Sequence, residues 1–299
     1  MINLSVVVVN WNTRDLLARC LDSVYPVTQD LEVLVVDNCS ADGSAEMVRR
    51  RFPRVQLIAN RENLGFARAS NQGIRQSRGQ YILLLNSDTE VYPGALDVLV
   101  RFMDEHPRAG GCGPMLLNPD GSLQPSCHPM LTPERELWRL LFLDRLFRRA
   151  TYAQERWNPD IPHPVDVIKG ACFLLRRSAL DQVGLLDETY FMYTEEMDLC
   201  YRLLEAGWQL WWVPQAAVLH RGEASSRQMA EAMYVQLYRS KVQFHRKFGG
   251  GWRAARFKGL LQVAYWPRLA VAIPGGLVSP ALAAQAHTYR RLLAELPRM

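Results

Sequence analysis

Tyr81-Ile82-Leu83-Leu84-Leu85-Asn86-Ser87-Asp88-Thr89 holds five residues without a charge and then turns abruptly polar, with a carboxylate at Asp88. A short apolar run bounded by turn-forming residues reads as a buried strand over Tyr81–Leu85. The same design recurs upstream. Leu4–Val9, rich in β-branched residues, is followed by Asn10-Trp11-Asn12. Glu32–Val36 is followed by Asp37-Asn38, and Val55–Ala59 by the polar stretch Asn60 to Asn63. Helical patterns fill the gaps. Leu16, Leu17, Cys20, Leu21 and Val24 fall at helical spacing within Arg14–Val24, and further helices are predicted at Ser44–Phe52 and Phe66–Gln76. Strands alternating with crossover helices define an α/β fold, Rossmann-like, with a mostly parallel twisted sheet and helices on both faces. Ligands of such sheets bind beyond the strand ends, where all four polar clusters sit.

Downstream the order is looser. Asn118-Pro119-Asp120-Gly121 is a turn by composition. Residues 122–164 mix proline, arginine and aromatics, which predicts a mobile connection around a short helix at Glu134–Phe147. A strand at Ala171–Leu175, a helix at Glu195–Ala206 and two strands, Leu210–Val213 and Ala217–Leu219, follow. The expected division is a catalytic domain over residues 1–222 and a basic, helical C-terminal appendage over 223–299.

At 299 residues, 48% hydrophobic and 22% charged, the composition excludes disorder, collagen-like repeats and a disulfide-stapled miniprotein. The net charge of +5 conceals an asymmetry: residues 1–220 carry 22 Lys/Arg against 27 Asp/Glu, and residues 221–299 carry 13 against 3. A body at −5 and a tail at +10 imply an anionic partner for the tail, membrane or nucleic acid. The six cysteines form no Cys-x-x-Cys pair and read as reduced cytosolic thiols. No cationic flank or small-residue cleavage site marks the N-terminus, so a cytoplasmic location is expected. Leu269–Tyr289 lacks Asp, Glu, Lys and Arg, but Pro274, Gly275, Gly276 and Pro280 argue against a spanning helix.

Several side chains are candidates for chemistry. Asp88, at the open edge of the sheet, suits a hard divalent cation bridging diphosphate oxygens, or equally a helix cap. Asp37 suits a ribose or base edge, or an Asx turn with Asn38. In Thr194-Glu195-Glu196-Met197-Asp198, helical spacing puts Glu195 and Asp198 on one face while Glu196 points elsewhere. One carboxylate could then face a cleft, while acidic residues in a first turn also serve the helix dipole. His220 is a candidate imidazole ligand or a structural histidine. The absence of Gly-x-Gly-x-x-Gly after the first strand, and of Gly-x-x-x-x-Gly-Lys, removes the main support for dinucleotide and P-loop readings.

In combination these segments resemble the family 2 inverting glycosyltransferases of GT-A fold, in the rhamnosyltransferase-like branch that builds bacterial cell-surface polysaccharides. The matching segments are Val7 to Asn12, Val35 to Ser44, Glu62 to Ala67, Asn71-Gln72-Gly73, Leu84 to Thr89, Lys169-Gly170-Ala171, Asp187 to Tyr193, Glu195 to Arg202, and His220. They run in order over about residues 3–222. The resemblance implies a nucleotide-sugar pocket made by Asn10, Asn12, Asp37, Asn63, Gly65, Arg68, Asn71, Asn86, Ser87 and Gly170. It implies Mg2+ or Mn2+ held by Asp88 and His220, with Glu196 as general base. Asn86 stands where the family's metal motif usually begins with Asp, and Glu196 where Asp is commoner, which keeps Glu195 as a second candidate base. The implied donor is a dTDP- or UDP-sugar and the implied acceptor a glycan or lipid-linked sugar.

The tail then finds a partner. Residues 234–258 interleave six aromatic residues with seven Lys/Arg, the composition of a segment lying on an anionic membrane surface. This predicts peripheral association at the inner face of the cell membrane and no nucleic-acid partner. Three rival readings remain: a sugar nucleotidyltransferase, which would want a basic Gly-rich loop after the first strand; a basic-tailed nucleic-acid-binding protein; and a glycosidase, which would need flanking carboxylates.

Overall fold

Val6, Val7 and Val8 are at most 1% exposed, so the strand they form is covered on both faces, as an uninterrupted apolar run requires. They belong to β1 (Leu4–Asn10) in a computed structural model that describes residues 2–24, 31–145, 150–222 and 229–299. The elements continue as α1 (Arg14–Val24), β2 (Leu31–Asp37), α2 (Ser44–Arg51), β3 (Gln56–Ala59), α3 (Phe66–Gln76) and β4 (Tyr81–Asn86). Next come β5 (Thr89–Val91), α4 (Ala95–Glu105), β6 (Ala109–Leu117), β7 (Leu123–Gln124), β8 (Cys127–His128) and α5 (Pro133–Leu140). They end with β9 (His163–Pro164), β10 (Val167–Ile168), β11 (Cys172–Arg176), α6 (Arg177–Val183), α7 (Glu195–Glu205), β12 (Gln209–His220), α8 (Ala230–Gly275) and α9 (Pro280–Glu295).

The main sheet runs β3-β2-β1-β4-β11-β6-β12-β5, with β7 beside β6 and β9 beside β12. Parallel pairing of β1 with β2 and β4, of β2 with β3, and of β6 with β12 sets six of the eight strands in one direction. Only β11 and β5 are reversed along that path. The sheet is thus mixed and mostly parallel with flanking helices, as expected. Register matters for function: Asn10 pairs with Asp37, Asp37 with Ala59, and Val9 with Asn86, so the polar clusters after four strands end level on one edge. Antiparallel pairing of β12 with β5 places His220 opposite Thr89, next to Asp88. Gly73 lets α3 lie directly on β1, since a Cβ there would stand 2.4 Å from Val7 Cγ1.

Three expectations change. The helix predicted over Glu134–Phe147 stops at Leu140, because Phe142 takes a left-handed conformation (φ +58°) that an α-helix cannot include; residues 146–149 lie outside the described part. The two predicted strands at 210–219 are one strand, β12, whose register slips between Val213 and Ala217. The boundary at 222/223 also moves. The chain forms two compact units, and the second contains not only Gln228–Met299 but also Leu131–Tyr152 and Met192–Thr194.

The second unit has its own core, in which Tyr238, Val242, Phe257, Leu261, Tyr265 and Leu292 are buried. Helix α8 bends at Gly250, whose φ of +71° breaks the helical run. Much of residues 234–258, expected to face a membrane, is packed into this unit, although Trp252 is 72% exposed. Tyr238, Phe244 and Phe257 point inward, and Lys241 is buried against Glu136 at 2.9 Å. Burial alone would raise the Glu136 carboxyl, but Lys241 and Arg139 hold it down at about 2. Arg239 pairs with Glu295, and Arg246 and Lys258 donate to the Met299 carbonyl. The amphipathic appearance of the segment comes from a buried polar layer beside an aromatic core. Among the described residues no helix is long and apolar enough to cross a membrane.

Candidate active site

The ends of β1 and β2 are tied by side chains. Asn10 Nδ2 donates to Asp37 Oδ1 (2.9 Å) and to Ser40 Oγ (3.1 Å), while Asp37 Oδ2 accepts the Ser40 amide (3.1 Å). Asn12, at φ +53°, receives the Ala41 amide on Oδ1 (2.8 Å). Thus Asn10, Asn12 and Asp37 come together as expected. Asp37 holds the start of the 37–42 loop through Oδ2 and the end of β1 through Oδ1. Ser40, not singled out as a site residue, joins all three.

A second asparagine cluster holds the approach to α3. Asn38 Nδ2 donates to Asn63 Oδ1 (2.7 Å), and Asn38 Oδ1 accepts from Leu64 N (3.0 Å) and Asn60 Nδ2 (3.1 Å). Gly65 has φ +81°, and a Cβ there would stand 2.3 Å from Phe191 O, so the loop can pass the 187–191 segment only as glycine. Arg68 is half exposed, 3.6 Å from Glu188. Asn71 departs from the expectation that it lines the pocket. Its Nδ2 donates to Leu186 O (2.8 Å) and Glu188 Oε1 (3.0 Å), its Oδ1 accepts Leu186 N (3.1 Å), and it is 1% exposed. Its amide is engaged in pinning the segment that follows α6.

Beyond β4, the Ser87 and Thr13 hydroxyls lie 2.8 Å apart, and Thr13 donates to Asn10 Oδ1 (2.6 Å). This joins the β1 and β4 ends in one network. Asp88 Oδ1 lies 3.3 Å from His220 Nε2, and Asn86 Nδ2 is 3.4 Å from the same nitrogen. Gln124 orients the ring. Its Nε2 donates to Asn118 Oδ1 (2.8 Å) and His220 O (3.1 Å), which turns its Oε1 to His220 Nδ1 at 2.6 Å. Because that oxygen only accepts, Nδ1 carries the proton, which leaves Nε2, facing Asp88, as the nitrogen that could coordinate a cation. Gln124 sits on a two-residue strand 96 positions from its partner, and no local pattern singled it out.

One carboxylate oxygen donor and one imidazole nitrogen fit Mg2+ or Mn2+ only if phosphate oxygens and water complete the coordination, which is how magnesium is commonly held. Among the described residues no group of three or more His, Cys, Asp and Glu is placed to hold a metal by itself.

Helix α7 begins after Tyr193 and Thr194, both at positive φ (68° and 74°), a strained entry that fixes the first turn. As the spacing predicted, Asp198 and Glu195 face inward. Asp198 is fully buried and pairs with Arg202 at 2.7 Å, whose guanidinium also donates to the Val183 and Leu185 carbonyls. Glu195 Oε2 has no hydrogen-bond partner among the described residues, and burial, then the adjacent Glu196, pushes this carboxyl well above the usual range. Glu196 is only half-buried. Its Cβ lies 3.8 Å from where a Cβ on Gly170 would stand, as does the Phe66 ring. The same 169–171 turn accepts the Asn86 amide on Ala171 O (2.9 Å). One glycine turn therefore runs beside the Glu196 helix, where an added Cβ would reach it, and bonds to the strand end bearing Asn86, Ser87 and Asp88.

A mostly parallel sheet with this polar edge is the fold of the GT-A glycosyltransferases, and solved structures of that class share it. An enzyme titled GalNAc-T7, crystallised with UDP, GalNAc and Mn2+, superposes with a TM-score of 0.56 at 19% identity over 74% of this chain and 44% of its own. A mannosyltransferase of Pyrobaculum calidifontis, in complex with GDP-Man and Mn2+, superposes with 0.55 at 18% identity over 98% and 85%. The glycosyl transferase family 2 model matches residues 5–184, and the chain belongs to that family. It is 35% identical, over 84% of its length and 87% of the relative's, to the N-acetylglucosaminyl-diphospho-decaprenol L-rhamnosyltransferase of Mycobacterium tuberculosis. The protein is a glycosyltransferase that moves a sugar from a nucleotide donor.

Proposed function

We propose that this chain performs an inverting transfer of rhamnose, or another hexose, from a dTDP- or UDP-sugar to a hydroxyl of a lipid-linked glycan, working at the cytoplasmic face of the membrane. The observation that carries the mechanism is the 169–171 turn, which runs beside the Glu196 helix and bonds to the strand end leading to Asp88. An in-line displacement needs a base on the acceptor side and positive charge at the leaving diphosphate. Glu196 is half-buried and takes the acceptor proton, while Glu195 faces inward with its carboxyl pushed up by burial and by Glu196. Asp88 Oδ1 and His220 Nε2 hold the divalent cation, which supplies charge neutralisation at the diphosphate. Asn10, Asn12, Asp37, Asn38, Asn63 and Gly65 shape the nucleoside pocket. Residues 1–130 with 153–191 and 195–222 act as the catalytic body.

The lipid-linked acceptor is supported by the printed specificity of the mycobacterial relative. The test is Glu196→Gln. Transfer should fall by about 10²–10⁴-fold with donor affinity within a few fold of wild type. Retained turnover in Glu196→Gln together with its loss in Glu195→Gln would move the base to Glu195. A melting-temperature screen of dTDP-rhamnose and UDP-hexoses with Mg2+ or Mn2+ identifies the donor, since a ligand of the folded state raises the transition.

A further inference from the structure

Residues 232–294 contain ten Lys/Arg and no Asp or Glu. Within them α8 and α9 form a hairpin whose tip is the most exposed apolar part of the described molecule, with Leu277 88% and Val278 86% accessible. Val271 (70%) and Trp266 (59%) are also exposed on α8. On α8 the first charged side chain, Arg268, stands ten residues before Val278, and on α9 the Glu231 carboxylate meets His287 seven residues after Pro280. At 1.5 Å per residue, that leaves a charge-free cap of about 10–15 Å. This is too short to span a hydrocarbon core and deep enough for the headgroup–acyl boundary.

The tip is also built to leave water. The amides of Gly276, Leu277, Val278 and Ser279 donate to carbonyls of residues 272–275, and Ser279 caps α9 through the Ala283 and Leu282 amides. Insertion therefore strands few backbone donors, which is the condition for backbone in lipid. Gly275 and Gly276 let the arms close, since a Cβ on Gly275 would stand 2.6 Å from Leu282 Cδ1 and one on Gly276 3.1 Å from Ala283 Cα.

We propose that this hairpin tip enters an anionic lipid bilayer, with Trp266 and Arg290 at headgroup level. Charge selects the occupant: Lys241, Arg239, Arg256 and Arg291 are paired with carboxylates, but among the described residues Arg253, Arg268 and Arg290 pair with none, an excess that favours anionic lipid, and an exposed tryptophan is typical of membrane interfaces. The proposal deepens the lipid-linked acceptor reading and replaces residues 234–258 as the contact.

Flotation of the full chain with phosphatidylcholine vesicles, and with vesicles containing phosphatidylglycerol, tests it. The wild type should float with the anionic vesicles, and less at high salt. Leu277→Asp with Val278→Asp should lower the bound fraction at least about tenfold with an unchanged melting temperature. Trp252→Ser, on α8 but about 21 Å further from the tip than Trp266, should bind like wild type. The proposal is overturned if the wild type does not float, if the tip variant floats equally, or if Trp252→Ser loses as much. It is likewise overturned if the tip variant instead converts a dimer to a monomer in light scattering, which would make the face a contact between copies. Transfer to a water-soluble acceptor analogue is measured alongside. Loss of flotation with that transfer intact concerns the tip, and absence of transfer by a floating wild type concerns the proposed reaction.

Discussion

Removing the Gln124 side chain should weaken divalent-cation binding without touching either proposed ligand. The residue contributes two contacts to His220, the 2.6 Å bond at Nδ1 and the 3.1 Å bond to the backbone carbonyl. Without them the ring is no longer held in the tautomer that leaves Nε2 free to coordinate, and its orientation toward Asp88 is lost. Removal of such outer partners typically costs 10–100-fold in metal affinity, equivalent to about 1.4–2.8 kcal/mol. The assay is a Mn2+ titration followed by electron paramagnetic resonance in the presence of nucleoside diphosphate, paired with the Mn2+ concentration for half-maximal transfer. Gln124→Ala should shift both by that factor and recover most of kcat at saturating Mn2+. Gln124→Glu keeps an acceptor at Nδ1 but loses the donor to the His220 carbonyl, and should bind between wild type and Gln124→Ala. A Gln124→Ala protein that titrates like wild type, while His220→Ala does not, would refute the orienting role. If both titrate like wild type, the metal site itself lies elsewhere.

Asn71→Ala would leave the buried Leu186 amide and carbonyl without their partners. At about 1–3 kcal/mol per stranded group, urea denaturation should show a loss of about 2–4 kcal/mol; a loss under about 1 kcal/mol would mean that water replaces the side chain. Gly65→Ala places a methyl against Phe191 O at a positive φ and should impair both stability and donor binding, measured by calorimetry; a silent variant would contradict the close approach. His245 is buried, neither ring nitrogen has a hydrogen-bond partner among the described residues, and burial, then Arg253, pushes its pKa down to about 4. Lys241 adds to that depression, while Glu136 and Glu134 oppose it. Its folded pKa lies below the unfolded value of 6.5, so its contribution to stability is fully present above pH 6.5 and lost as pH falls toward 4. His245→Leu should flatten the melting-temperature decline across that window and raise the melting temperature at pH 5. An unchanged slope would show that other groups govern acid unfolding.

The first half of the fold was legible because β1, β2 and β4 are buried on both faces and so read as unbroken apolar runs; with the edge strand β3 they fall within a residue or two of expectation. The strand β6 was not, although it lies at the centre of the sheet. Its Gly110, Gly111, Gly113 and Pro114 are poor strand formers, and they are there because other side chains occupy the space a Cβ would need. A Cβ on Gly111 would stand 2.6 Å from the Phe173 ring, and one on Gly110 2.8 Å from Trp208 Cβ. The same difference between local pattern and assembled context divides the site. Glu195, Glu196 and Asp198 could be sorted by helical phase, since one turn of helix decides which carboxylate faces inward. Asn71 and Gln124 could not, because their partners lie 115 and 96 residues away.

The tail shows why counting charges does not by itself show which of its cations are free. A sum over residues 221–299 treats every cation as free, yet Lys241, Arg239 and Arg256 pair with Glu136, Glu295 and Glu134, and two of these carboxylates lie outside the summed region. Those pairs consolidate the core that buries Tyr238 and Phe257, so the segment with most cations and aromatics is the one least available to a lipid surface. What remains available is the stretch that charge counting passes over, Leu269–Tyr289, whose only notable feature in sequence was that it carried no Asp, Glu, Lys or Arg. Its two glycines and two prolines, which weigh against a spanning helix, are what permit a tight hairpin with a helix start at Pro280. A chain built this way can reach a bilayer without crossing it, and it can do so only where its charged residues have been moved back from the point of entry.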